Sequence, residues 1–462
     1  MIAKKFCTLA VAVLVAGAVC ASMAHADSFW SGAAADNNWD NLANWDSDPS
    51  GGFAYVNTLT NYPIITVDNT LVPNDMKIAA SPGPLDGRVD VVSGTLSINY
   101  WGFVGDWDSS ATFNIADTSA TGGTFTGFGQ GSGSFDNTGN NNGNFMIGLY
   151  QSTGVMNMNT TGSLSVSDLR ISPNNQAGSG TLNLDSGTIN TTYGFQVGSD
   201  FWGPNLLNAD FNMSGGTVNV GGEMWTGGSG TGTTVQTGGD VSTGTYFVIG
   251  RNDGSVGTYN LQGGSVTAAT AGGFAVLGSF GTAMGELNIS GDATFKTGDV
   301  DTMSNMLVGE GATGQVNLTG SSATVDISGD LKLGIHDDNT AGGIGTLNFI
   351  ADAAGITTIS VGGDVNLSSL DSDFLGVDLS AYAGPHVDLQ LIDGATSQGE
   401  FTGLSQGAAV ATNSALAYYI DYTQAGDVWL TTSSIPVPEP ASFMLLGLGV
   451  LGLGRISRRR RA

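Results

Sequence analysis

A short glycine-rich cassette recurs along most of this 462-residue chain, and it constrains the fold more than any other feature. Its common pattern is G-[TEQ]-x-N-[LIM]-x-G-G-[ST]-V-x-V, followed by a polar stretch and then by [FM]-x-[VIL]-G. The copies follow one another at intervals of 23 to 31 residues. Their register is marked by one asparagine per copy, replaced once by valine: Asn157, Asn183, Asn212, Val235, Asn260, Asn288, Asn317 and Asn348.

Each strand in the cassette is short and alternates, so that Leu182 and Leu184 share one face while Asn183 points the other way. One cassette cannot bury its apolar face alone, but stacked copies can, with each strand paired to its equivalent in the next turn. The pattern predicts an all-β parallel β-helix (β-solenoid) with three strands per turn. We expect burial of Leu184, Val218, Val220, Leu261, Ile289 and Leu318, and an outward position for Asn183, Asn212, Asn260 and Asn288.

The alternative fold is an antiparallel β-sandwich, because Gly-Gly between alternating runs is also a hairpin signal. The constant three-strand cassette favours the solenoid. Over roughly residues 91 to 380 the repeat resembles the β-strand repeats of autotransporter passenger domains, which implies a right-handed parallel β-helix.

The segments on either side of the repeats (91–383) lack the period and are predicted to cap the two ends. Residues 27–90 begin with Trp30, Trp39 and Trp45, which we interpret as covering the first turn; the alternative is that these rings stack on sugars. Residues 384–434 contain aromatic-rich strands and form the predicted C-terminal β cap.

The first 26 residues are typical of a secretory signal peptide. Lys4 and Lys5 precede the apolar run Leu9–Val19, and Ala24 and Ala26 form a small-x-small cleavage site. The run is short for a membrane anchor. Cys20 suggests a lipoprotein as a further alternative, but Val19 is bulky for such a site.

Both cysteines, Cys7 and Cys20, lie in this segment, so the mature chain is predicted to contain none. That excludes a disulfide scaffold, a thiolate metal site and a cysteine nucleophile.

Charge is distributed unevenly, with 40 acidic and 13 basic residues. An acidic body argues against nucleic acid and anionic membrane surfaces as partners, since both are bound by basic patches. Outside the two ends the basic residues are six: Lys77, Arg88, Arg170, Arg251, Lys296 and Lys332.

The last segment, residues 435–462, contains the apolar stretch Phe443–Leu453, which is about half the roughly 20 residues that a spanning helix needs. It is followed by an arginine block that would stay on the cytoplasmic side. We therefore predict that this segment contacts the inner membrane transiently, and we use "transmembrane" only for that transient state.

The same segment resembles the PEP-CTERM sorting signal. The resemblance rests on Val437, Pro438, Glu439, Pro440, Ala441 and Ser442, then a Gly-Leu run, then Arg458, Arg459, Arg460 and Arg461. It implies recognition by an exosortase, a membrane protease, and delivery to the cell surface or extracellular (biofilm) matrix of a Gram-negative-type bacterium. Whether the tail is removed or kept as an anchor stays open.

Evidence for metal or acid–base chemistry is thin. His336 and His386 are fifty residues apart, which disfavours zinc. No cofactor is expected, although structural calcium stays open, since aspartates cluster in 336–343 and in three Asp-x-Asp pairs, Asp106/Asp108, Asp299/Asp301 and Asp371/Asp373. Asp is also a default turn residue.

Parallel β-helices include polysaccharide lyases and hydrolases, so an enzyme is the alternative function. Catalytic solenoids break their repeats to form a cleft, and the looser stretch 99–150 is the one such break. We expect no catalytic residues and a structural or adhesive role near extracellular polysaccharide. The stacked asparagines are interpreted as stabilising; alternatively they bind polysaccharide, with Trp202 and Trp225 stacking on it.

Overall fold

The computed structural model describes residues 27–80, 85–118, 129–138, 143–173, 178–198, 208–299, 301–340, 342–367, 372–413, 416–424 and 426–432. Within them the chain winds into a β-solenoid of about 12 turns, and equivalent strands of successive turns pair in parallel. The predicted solenoid is confirmed, and the antiparallel sandwich is wrong. The likeness to autotransporter passenger domains stays a prediction.

Three parallel sheets run along the solenoid, and two long strands, Thr153–Ile171 and Ser179–Val197, belong to all three. Sheet 1 carries the marker asparagines. Its other strands are Ile64–Ile65, Asp86–Val91, Ser110–Ala116, Asn208–Met213, Thr231–Gln236, Val256–Leu261, Met284–Ser290, Thr313–Thr319, Ile344–Ile350 and Asp373–Asp378.

Sheet 2 follows sheet 1 in each turn. Its strands are Thr95–Ser97, Ser134–Asp136, Thr217–Val220, Asp240–Thr243, Ser265–Ala268, Thr294–Thr297, Thr324–Ile327, Ile359–Val361 and Leu389–Asp393. Sheet 3 contains Ser28–Phe29, Phe53–Val56, Asp75–Ala80, Gly102–Asp106, Asn144–Leu149, Glu223–Thr226, Phe247–Ile249, Phe274–Leu277, Asn305–Val308, Leu331–Leu333, Asp364–Leu367 and Thr396–Gln398.

The predicted inward face is confirmed. One continuous apolar core lies between the sheets and contains all six predicted core residues, each at most 3% exposed. Because the register is kept from turn to turn, each core side chain packs against its equivalents: Leu184 lies between Met158 and Met213.

The marker asparagines form hydrogen-bonded ladders on the outer face of sheet 1, as predicted. Except for Asn260, which follows Val235, each Nδ2 donates to the side-chain oxygen of the previous turn at 2.6–3.0 Å. The first rung is Asp90, which accepts from Asn114 at 2.7 Å and is held by the Arg88 guanidinium at 2.7 and 2.8 Å. These side chains satisfy one another, which stabilises the stack.

The copy with Val235 inverts the usual polarity without changing register. Val235 pairs with Asn212 and Asn260, so the outward position is apolar while Thr234 and Gln236 point into the core. Gln236 Oε1 accepts from the Tyr259 hydroxyl at 2.6 Å, and its Nε2 donates to two backbone carbonyls. Burial raises the pKa of Tyr259, which keeps the phenol protonated as a donor.

The three N-terminal tryptophans form a buried cluster, and their role as a cap stays a prediction. Trp30, Trp39 and Trp45 are at most 6% exposed and pack edge to face, with ring centroids 4.9 and 5.1 Å apart. Their indole nitrogens donate to backbone carbonyls, so these rings are not available to stack on sugars. A single 3₁₀ turn, Leu42–Asn44, lies among them.

The strands of residues 27–90 already pair in parallel with the strands that follow them. Residue 91, the predicted start of the repeats, therefore lies within a continuous sheet. At the other end the mode of pairing changes. Ala409–Asn413, Leu416–Asp421 and Val428–Thr431 form an antiparallel meander, and Val428–Thr431 pairs with Leu389–Asp393. This antiparallel layer continues sheet 2 beyond its last parallel strand.

The core predicts a clear difference between inward and outward substitutions. Leu184→Ala removes a fully buried side chain from the stack and should lower the free energy of unfolding by about 2–5 kcal/mol. Asn212→Ala, on the exposed face of the adjacent turn, is the control and should cost less than 1 kcal/mol, on the order of one exposed hydrogen bond. Denaturant unfolding compares them, and equal losses would contradict the assignment of faces.

The inverted turn makes a second prediction. Tyr259→Phe leaves Gln236 Oε1 buried without its donor, and should cost about 1–3 kcal/mol of unfolding free energy. Gln236→Leu removes the acceptor of the Tyr259 hydroxyl and also two hydrogen bonds to backbone carbonyls, so the double variant Gln236→Leu/Tyr259→Phe should lose less than the sum of the two single variants. If the double variant lost as much as the sum of the two single variants, the hydrogen bond would not be what fixes this turn.

Candidate functional site

The outer face of sheet 3 carries an apolar and aromatic row that runs from turn to turn. Register places these residues in line: Tyr55, Lys77, Phe103, Met146, Arg170, Gln196, Trp225, Val248, Val276, Leu307 and Lys332. Several are buried although they point away from the core. They form two separate clusters, one around Phe103 and Met146 and one around Val248, Val276 and Leu307.

The sequence interpretation missed this face. It treated the third strand of each cassette as one-sided, whereas FVI at 247–249 and FAVL at 274–277 are continuous apolar runs. Such runs are typical of strands that are covered on both faces. That signal was available in the sequence.

At the N-terminal end of the row the aromatic side chains become exposed and line a groove. Two adjoining cavities, of about 520 and 440 Å³, share Lys77, Trp101 and Phe103. Of the eight aromatic side chains that are exposed in the described part of the chain, five lie in this region: Phe29, Phe53, Tyr100, Trp101 and Trp107. We call this surface the aromatic groove. It falls largely in the looser stretch 99–150.

Lys77 lies at the centre of the groove. Its Nζ is 5.0 Å from the Phe103 ring centroid and 5.9 Å from those of Phe53 and Tyr55. The same Nζ donates to Asp106 Oδ2 at 2.8 Å. The ammonium charge is therefore compensated by a carboxylate and surrounded by rings.

Asp106 brings a polar atom without a partner to the groove. The residue is 2% exposed, and its Oδ1 accepts no hydrogen bond from any residue that the structure describes. Its backbone nitrogen donates to the Ser109 hydroxyl oxygen at 3.0 Å, which holds the turn. A buried carboxylate oxygen without a donor is costly, so a hydroxyl or N–H from a ligand would stabilise it.

Asp75 lines the opposite half of the groove, and Tyr55 lies next to Lys77 beside it. Asp75 Oδ1 accepts from the Trp101 backbone nitrogen at 2.9 Å, which positions the indole. Burial raises the pKa of the Asp75 carboxyl above its usual value, while that hydrogen bond and Lys77 oppose the rise. Burial likewise raises the pKa of Tyr55.

The far edge of the groove is a stacked pair. The rings of Trp107 and Tyr150 are 4.4 Å apart and inclined by 18°. Both residues have left-handed backbone conformations, with φ of 58° and 49°. For bulky residues these are outliers that cost on the order of 1–3 kcal/mol each, and such outliers concentrate at functional sites.

Every basic residue of the body has an acidic neighbour. Arg88 binds Asp90, Arg251 faces Glu223, Lys296 faces Asp326, and Lys332 contacts Asp330 and Asp337. Arg170 lies beside Asp168, and burial lowers the pKa of this guanidinium. With Lys77 held by Asp106, none of the six cations is unmatched on the described surface.

The two tryptophans proposed as stacking groups have different outcomes. The Arg251 guanidinium lies 3.9 Å from the Trp225 ring, and the indole nitrogen donates to Glu223 at 2.8 Å. One face of Trp225 is therefore occupied by its own chain. Trp202 lies outside the described residues.

Several of the aspartates considered for calcium have other partners. Asp106 binds Lys77, Asp337 Oδ1 accepts from Lys332 at 3.1 Å, and Asp299 Oδ1 accepts from a backbone nitrogen at 2.9 Å. Among residues covered by the structure, no three acidic or histidine side chains are grouped as a metal site. Asp371 lies outside them, and structural calcium stays an untested prediction.

The processing residues cannot be placed geometrically. Ala24 and Ala26, the motif from Val437 to Ser442, and the block Arg458–Arg461 all lie outside the described residues. The described part of the chain contains no helix that is both long and apolar enough to cross a membrane. The "transmembrane" description concerned the tail, which lies outside the described residues, and it stays a prediction.

Comparison with known proteins identifies the tail. Residues 436–461 match the model of the PEP-CTERM protein-sorting motif. No curated protein and no solved structure matches the chain. The motif marks this chain as an exported protein that is sorted to the cell surface or extracellular space and processed by an exosortase, a membrane enzyme.

Proposed function

We propose that the protein is a non-enzymatic structural or adhesive component of the cell surface or extracellular matrix, in contact with extracellular polysaccharide. The observation that carries this proposal is the uniform stack. Its turns keep register, the side chains of its asparagine ladders bond one another, and an antiparallel meander extends sheet 2 at the C-terminal end.

The placement of carboxyl groups in the aromatic groove supports a non-enzymatic role. A glycoside hydrolase uses two carboxyls about 5–9.5 Å apart. Asp106 pairs in register with Ala80, five residues beyond Asp75 and at most about 16 Å along the chain, and Asp75 lines the first cavity while Asp106 lines the second. Lys77 lies between them and binds Asp106. The two carboxyls therefore belong to different halves of the groove.

A degradation assay tests this proposal against the enzyme alternative. The full chain is incubated with neutral and acidic polysaccharides, and reducing ends and unsaturated products are measured over time. We expect neither to increase, with Asp75→Asn as a matched control that gives the same baseline. Products that the wild type forms and Asp75→Asn does not would show a hydrolase or lyase.

We further propose that the tail is removed after the Pro438-Glu439-Pro440 step. The short apolar run and the arginine block would hold the precursor in the inner membrane long enough for an exosortase to act. Replacing Glu439 should leave precursor in the membrane, and replacing Arg458–Arg461 with alanine should weaken retention and spoil processing. Intact-mass measurement of the surface form decides: a surface protein that still carries the arginines would mean that the tail is an anchor.

A further inference from the structure

We propose that the aromatic groove binds a neutral polysaccharide chain, with Trp101 and Trp107 as stacking platforms and Asp106 as a hydroxyl acceptor. This binding site deepens the proposed function. It rests on that function only in requiring that the protein is delivered to the outside of the cell. It names the site and the chemical class of the partner.

The aromatic groove places exposed rings next to polar groups. A sugar ring has apolar C–H faces and hydroxyl groups around its edge, so its binding sites combine flat aromatic surfaces with hydrogen-bonding groups beside them. Trp101 is 43% and Trp107 48% exposed. Asp75 and Lys77 lie beside the first ring, and Asp106 beside the second.

Asp106 provides a hydrogen-bond acceptor in the groove. Its Oδ2 is held by Lys77, and its Oδ1 lacks a hydrogen-bond donor among the described residues although the side chain is buried. It lines the same cavity as Trp107 and Tyr150. The oxygen itself is buried, so a small movement of the carboxylate toward the cavity would let a sugar hydroxyl donate to it while the ring rests on the indole, whereas an apolar lipid chain would leave it unsatisfied.

The negative charge of the body favours a neutral polysaccharide over an anionic one. An anionic chain needs free cations, and each of the six basic residues of the body already has an acidic neighbour. The full sequence has a net charge of −27, so the body repels polyanions. A neutral chain avoids that repulsion and uses the rings and hydroxyl acceptors.

The two exposed tryptophans lie at opposite ends of one strand. Trp101 precedes and Trp107 follows the strand Gly102–Asp106, so their backbones are at most about 20 Å apart, the length of a fully extended chain, and the corner at Gly105 shortens that distance. That span accommodates several consecutive sugar units. The Trp107–Tyr150 stack joins two adjacent turns, so the platform at this edge is rigid.

Affinity electrophoresis of the full chain tests the proposal. Native gels contain either a neutral polymer, hydroxyethylcellulose or galactomannan, or an acidic one, alginate. We expect retardation by a neutral polymer and none by alginate. Trp101→Ala and Trp107→Ala should each weaken the binding about tenfold. Phe280→Ala and Tyr193→Ala, which remove exposed rings outside the groove, are the matched controls and should bind as the wild type does.

Thermal unfolding of each variant separates loss of binding from loss of fold. Trp101 lies outside the strands and is exposed, so its variant should keep the wild-type midpoint even if Trp107→Ala shifts it. Retardation by alginate alone, or by no polymer, would overturn the proposal, as would neutral-polymer binding that survives both tryptophan substitutions. Cleavage of a bound neutral polymer would instead contradict the non-enzymatic role and leave the binding site intact.

Discussion

Register between successive turns is the constraint on which the rest of the structure depends. Because the strands stack in parallel and in register, each side chain has its own equivalents above and below it, at the spacing of about 4.8 Å between neighbouring strands. A residue type that tolerates its own kind at that distance can repeat, and one that does not must alternate with a partner. Leucine and asparagine repeat here, since the first packs and the second both donates and accepts.

Charge obeys the same constraint. A lysine stacked on a lysine would be repelled, and the rows contain none. Lys296 pairs in register with Asp326, and Arg88 closes the first rung of the asparagine ladder at Asp90. The few cations of an acidic body are thereby used up as internal counterions, so the outer surface has little to attract an anionic partner.

The fold could be predicted from sequence because the repeat states its register through one asparagine per copy and its core through the flanking leucines. Two features escaped. The register of the Val235 copy was predicted, but not that Thr234 and Gln236 point into the core, where Gln236 accepts a hydrogen bond from Tyr259 of the next turn. The outer face of sheet 3 escaped because periodicity was used to assign one buried face per strand, whereas Leu307 is buried on the second.

The aromatic groove lies where the repeat is least regular, and the irregularity explains how it arises. In the later turns a corner residue such as Gly198 or Gly250 ends the third strand. In two early turns the chain passes the corner glycines Gly105 and Gly148, pairs once more through Asp106 and Leu149, and then adopts the left-handed conformations at Trp107 and Tyr150. Those added residues supply the unpaired carboxylate oxygen and the stacked rings. A uniform solenoid has no such edge, so binding specificity could enter this fold only by departure from the repeat that stabilises it.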